Sequence, residues 1–135
     1  MATTATGLRV LVVDDSSSVR RSAEIFLQQA GYTVLLAEDG FDALAKINDH
    51  APHLVLCDIQ MPRLDGHQTC AILRRSARFA DLPVLMLSSG DSPFDRARSQ
   101  LAGAQDHLLK PFTKDQLLQA VQRHARPQDP AQAPA

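Results

Sequence analysis

Cysteine is scarce, with Cys57 and Cys70 the two in a chain of 135 residues. Two thiols cannot build the disulfide framework of a small secreted domain. Both lie inside apolar patterns, which predicts buried free thiols. No sign of charge is in excess either, since 14 basic and 15 acidic residues leave a net charge of −1. No global field then draws the protein to nucleic acid or to an anionic membrane, and neither is expected as a partner. Long apolar runs are missing as well. The first run, Leu8 to Val13, is interrupted by Arg9 and is far too short for a signal peptide or a membrane span. Met1 to Gly7 before it carries no basic residue. The expectation is a cytoplasmic protein without membrane insertion.

What is present is enough for one domain with a core: the chain is 44% hydrophobic and too short for two domains of ordinary size. Short apolar runs recur with helical patterns between them. Strands are predicted at Arg9 to Val13, Thr33 to Ala37, His53 to Cys57, Pro83 to Leu87 and His107 to Leu109. Three of these runs are apolar throughout rather than alternating, as in parallel strands covered on both faces. Val19, Ala23, Phe26, Leu27 and Ala30 share one side of a 3.6-residue period, and Gly31 follows at a helix end. Further helices are predicted over Asp42 to Asn48, Gly66 to Ser76, Pro93 to Ala102 and Lys114 to His124. The fold class is α/β: a doubly wound, five-stranded parallel sheet, (βα)₅, of flavodoxin-like strand order 2-1-3-4-5. Residues 8–125 form this domain, behind an N-terminal arm at 1–7. The Pro- and Ala-rich residues 126–135 read as a disordered tail. No further strand or helix pattern follows that would supply an attached output domain.

Loops at the carboxyl ends of parallel strands line the ligand crevice of such a sheet. There the first strand ends in Asp14-Asp15, the third in Asp58, the fourth in Ser88-Ser89 and the fifth in Lys110-Pro111. Helix capping explains a lone Asp at such a position. It does not explain two acids, a third acid, a hydroxyl and a lysine on four strand ends. Three carboxylates so close repel one another unless a cation neutralises them, and all-oxygen ligation suits Mg²⁺ or Mn²⁺ rather than zinc.

These residues resemble the receiver domains of two-component response regulators, the CheY-like family. The resemblance covers residues 8 to about 125 and rests on Val12-Val13-Asp14-Asp15-Ser16, Cys57-Asp58-Ile59-Gln60-Met61-Pro62, Asp65-Gly66, Val84-Leu85-Met86-Leu87-Ser88 and Lys110-Pro111-Phe112, in order and at the family's spacing. A narrower resemblance, to single-domain regulators of chemosensory systems that control type IV pili and twitching motility, rests on Phe41 to Ile47, Met61 to Ala71, Leu87 to Ala97 and Lys110 to Leu118.

The resemblance implies that Asp58 accepts a phosphoryl group from a CheA-like histidine kinase. Asp15, Asp58 and the backbone carbonyl of Gln60 would bind Mg²⁺, with Asp14 holding a metal-bound water. Lys110 and Ser88 would contact phosphoryl oxygens, and the Lys110-Pro111 bond would be cis. Such a chain assists its own phosphorylation and slow dephosphorylation without being an enzyme in the ordinary sense. Output would pass to an effector through the face of helix four, strand five and helix five, which carries Phe94, Arg96, Arg98, Leu101 and His107. Of these, Leu101 is expected in the core and the arginines in solvent. His107 stands where the family often has Tyr or Phe as a rotameric switch; an ordinary half-exposed histidine is the competing reading. Gly90 offers no side chain to position water, so no strongly catalysed hydrolysis is expected, with Gln60 the remaining tuning position. Two alternatives stand beside this reading. One is a phosphorylation-independent interaction module, which would usually have lost an acid or the lysine. The other is an Asp-nucleophile phosphohydrolase, which needs a further acid/base and a cap.

Overall fold

Among the described residues, five strands and five helices alternate strictly: β1 Arg9–Val13, α1 Ser17–Gln29, β2 Thr33–Ala37, α2 Gly40–His50, β3 Leu54–Asp58, α3 Gly66–Arg74, β4 Val84–Ser88, α4 Pro93–Ala102, β5 Asp106–Leu109 and α5 Lys114–His124. The structure is a computed structural model that describes residues 7–90 and 92–125. The tail at 126–135 and all of the N-terminal arm but Gly7 lie outside the described residues. All pairings are parallel, in the order β2-β1-β3-β4-β5, so the expected fold class is the observed one.

The three central strands are apolar on both faces because both faces are covered. Val10, Val12, Leu54, Leu56, Leu85 and Leu87 meet Ala23 and Leu27 of α1 and Leu117 and Val121 of α5. Leu11, Val13, Val55, Cys57 and Met86, which point the other way, meet Ala43 and Ile47 of α2 and Cys70 and Leu73 of α3. Both cysteines are free and buried. No helix among the described residues is long and apolar enough to cross a membrane.

Element ends moved by a residue or two from the sequence expectation, each for a local reason. β3 starts at Leu54 rather than His53 and runs on to Asp58, because the ladder continues through Ile59 N–H to the Leu87 carbonyl at 3.1 Å. The His53 ring instead accepts from the Arg9 amide at 3.0 Å. α2 begins at Gly40 because Asp39 caps it, accepting from the Asp42 amide at 2.8 Å. α3 stops at Arg74 because the next amides, of Arg75 and Ser76, close tighter turns onto Ile72 and Leu73. One core expectation fails. Leu101 is 88% exposed, because Ser99, two residues earlier, takes the inward side of α4 and two residues turn a helix by roughly 200°.

Candidate functional site

The carboxyl edge of the sheet is assembled by the ends of β1, β3, β4 and the residue after β5. Asp14 follows β1 and is tied to the sheet by its amide, which donates to Ala37 at 3.2 Å. Ser16 caps α1, so Asp14 and Asp15 are left for other duties. Asp58 closes β3, beside β1. The start of α3 presses against it. A Cβ on Gly66 would lie 2.3 Å from the Asp58 carbonyl oxygen, so only glycine permits that approach.

Carboxylate oxygens of Asp14, Asp15 and Asp58 lie within 4.8 Å of one another. Lys110 Nζ spans two of them, 3.0 Å from Asp14 Oδ2 and 3.0 Å from Asp58 Oδ1. Asp14 is fully buried, and its other oxygen accepts from the Ser16 amide at 2.9 Å. Burial raises the Asp58 carboxyl from the ordinary range to about 6; the charge of Asp14 and contact with Asp15 add to the rise, and the Lys110 hydrogen bond opposes it. Lys110 is pulled down by burial, but its bonds to Asp14 and Asp58 outweigh that and hold it above its usual value. The Lys110-Pro111 peptide is cis.

One lysine against three carboxylates leaves an excess of negative charge in a partly buried site, and this excess adds to the larger effect of burial in raising Asp58. The donors are all hard oxygens, which fits a small divalent cation such as Mg²⁺ or Mn²⁺. The neighbouring Cys57 does not fit as a ligand. Its thiol is pushed strongly upward by burial and by Asp58, and it donates to the Asp58 carbonyl at 3.6 Å.

Ser88 ends β4 next to this cluster, but its hydroxyl is turned into the following loop. It donates to the Gly90 carbonyl at 2.7 Å and accepts from the Gly90 amide at 3.1 Å. Lys110 and Ser88 are joined through their backbones, Lys110 N–H donating to the Ser88 carbonyl at 2.7 Å. Gln60 is exposed two residues beyond Asp58. His107 is half-buried in β5, opposite Met86, and is not part of the carboxylate cluster.

Two supporting groups were not foreseen from the sequence. Arg20, one turn into α1, donates to the Asp14 carbonyl at 2.5 Å. Its place four residues after the cap was the available signal. Arg63, with a positive φ of 70°, binds Asp39 at 2.9 Å and stacks over Phe41, 5.8 Å from the ring centre. It links the loop after β3 to the start of α2, and no local pattern announces it.

Fold and site together define a receiver: residues 10–122 match the response regulator receiver domain. The chain belongs to that family and is a signalling receiver domain of the response-regulator type. Among its relatives is Protein PilG of Pseudomonas aeruginosa, 50% identical over 118 residues that make up 87% of each chain. Response regulator MprA of Mycobacterium avium is 42% identical over 131 residues, and the match spans 95% of this chain but 57% of MprA. Among solved structures, the chemotaxis response regulator CheY4 of Vibrio cholerae superposes with a TM-score of 0.84 at 36% identity, covering 87% of this chain and 98% of CheY4.

Proposed function

We propose that Asp58 is the phosphoacceptor of a chemosensory phosphorelay and that the domain signals by protein contact. The observation that carries this reading is the convergence of three carboxylates within 4.8 Å with a lysine bridging two of them. Loss of any one acid or of the lysine, as expected of an interaction module freed from phosphorylation, has not occurred.

Asp14, Asp15, Asp58 and the Gln60 carbonyl are the groups that would hold Mg²⁺, with Mn²⁺ as a substitute. When bound, the ion supplies the positive charge that lets an anionic phosphoryl group approach an acidic site. An Asp58 carboxylate oxygen attacks the phosphorus of a phosphohistidine. The P–N bond breaks, its electron pair stays on the imidazole, and that ring takes up a proton. Lys110 already touches the attacking carboxylate and would follow the charge onto a phosphoryl oxygen. Ser88 would exchange the Gly90 carbonyl for another phosphoryl oxygen, drawing the loop after β4 with it.

That loop leads to α4, so the output face is α4, β5 and α5. Between these elements lies a groove of ≈270 Å³ lined by Arg96, His107, Gln116, Gln119 and Arg123. His107 would report the loop's position from within this groove, as an aromatic ring does in relatives. The identity to Protein PilG supports a role in type IV pilus twitching motility, with a CheA-like histidine kinase as donor. Radiolabel transfer from a phosphorylated kinase histidine domain tests the relay. Transfer should require Mg²⁺ and fail in Asp58→Ala; transfer that persists in the mutant would remove Asp58 from its role. Pull-down of pilus-regulatory proteins that responds to phosphorylation checks the output.

A further inference from the structure

α4 is mounted unlike its neighbours. Ser99 is its one buried side chain, whereas α3 buries four, Cys70 and Leu73 among them, and α5 buries Leu117, Ala120 and Val121. The large apolar residues of α4 face outward, Phe94 at 70% and Leu101 at 88% exposed. An apolar stripe therefore does not hold this helix down. What meets Ser99 is His67, in the first turn of α3, with Nε2 2.9 Å from the Ser99 hydroxyl. The imidazole is 6% exposed and the serine 2%. The second ring nitrogen, Nδ1, is buried without a hydrogen-bond partner. Whichever tautomer is present, Nδ1 is left unsatisfied, a cost that offsets part of what the bond to Ser99 contributes.

We propose that the His67–Ser99 hydrogen bond is the latch that seats α4 against α3, and that protonation of His67 releases it. A charged ring would carry an N–H at Nδ1 into an environment that offers it no acceptor. Charges around the ring do not rescue it. Arg98 of α4 and His107 of β5 oppose a cation there, while Asp65 at the α3 cap and Asp95 of α4 favour one. Burial is the largest influence, and the net effect holds the ring below its ordinary range.

The sign follows directly. In the open arrangement the ring is hydrated and titrates normally, so acid binds preferentially to the open form. Opening is therefore suppressed at neutral pH and gains as pH falls through the ordinary imidazole range. The consequence reaches the site because Ser92, the α4 cap, is two residues beyond Gly90, the partner of the Ser88 hydroxyl. Acidification would loosen the loop that phosphorylation must draw inward. The latch requires neither a phosphoryl group nor a particular output partner.

Amide hydrogen exchange of α4, referenced to α5 and corrected for intrinsic rates, tests this without any phosphodonor. Between about pH 7.5 and about pH 5.5 the wild type should lose roughly tenfold in α4 protection. His67→Gln keeps an amide nitrogen able to reach Ser99 but does not titrate. It should match the wild type at the higher pH and show no loss at the lower. Ser99→Ala should be less protected at both. Wild-type protection that ignores pH, or an equal loss in His67→Gln, would overturn the proposal. So would a ¹⁵N titration placing His67 at or above the ordinary imidazole pKa.

Discussion

At the scale of single residues, the carboxylate cluster costs the fold stability at neutral pH. Asp58 has a folded-state pKa of about 6, raised from an unfolded value of 3.8. The folded chain therefore holds that proton more tightly, and the group's contribution to stability is lost as pH rises from about 4 to about 6. Asp58→Asn should accordingly stabilise the metal-free protein by about 1–3 kcal/mol at neutral pH, with the gain vanishing below about pH 4. Urea unfolding at the two pH values measures it, and a destabilised mutant at neutral pH would mean that the Lys110 bond outweighs burial and repulsion. On the reading proposed above, in which Asp58 is a ligand, the same titration governs Mg²⁺ binding. Below about pH 6 a protonated Asp58 competes with the ion, so calorimetric Mg²⁺ affinity should fall by up to about tenfold per pH unit. An affinity flat between about pH 7 and about pH 5 would exclude Asp58 as a ligand.

At the scale of elements, the connections carry more than their sequence admits. Arg74, in the last turn of α3, donates to the carbonyls of Phe79, Leu82 and Gly103 and to the Gln105 side chain, all within 2.8–3.0 Å. It clamps the connections before β4 and before β5, packed so closely over Gly103 that a Cβ there would lie 2.7 Å from it. Arg74→Met should cost about 2–4 kcal/mol in urea unfolding, with Arg74→Lys recovering less than half, because one ammonium cannot serve carbonyls on both sides. In sequence Arg74 is an ordinary basic residue at a helix end. His67 likewise reads as a polar residue just after a cap, and Leu101 as core. These were illegible because helix rotation against the sheet, not composition, decides which side is inward. The strands were legible for the opposite reason. Val10 to Val13, Leu54 to Cys57 and Val84 to Leu87 are apolar at every position, a pattern that few surroundings other than a doubly covered parallel strand accommodate.

At the scale of the whole molecule, topology converts scattered residues into one site. Asp14, Asp58 and Lys110 are far apart in sequence, yet the order β2-β1-β3-β4-β5 brings their strand ends to one edge. That convergence was legible because each group sits at the end of a recognisable strand, where a fold of this class places its ligands. The orientation of Ser88 toward Gly90 was not legible, since a hydroxyl's choice of partner depends on the loop's path. Near-neutral net charge, −1 overall, leaves recognition to local surfaces, and the α4, β5 and α5 groove is the one proposed above. The central claim is that this assembly makes Asp58 a Mg²⁺-dependent phosphoacceptor. Intact mass after incubation with a small-molecule phosphodonor tests it most directly, comparing wild type with Mg²⁺, wild type with chelator, and Asp58→Ala with Mg²⁺. The account predicts a gain of one phosphoryl group in the first sample alone; no gain there, or an equal gain in the mutant, would contradict it.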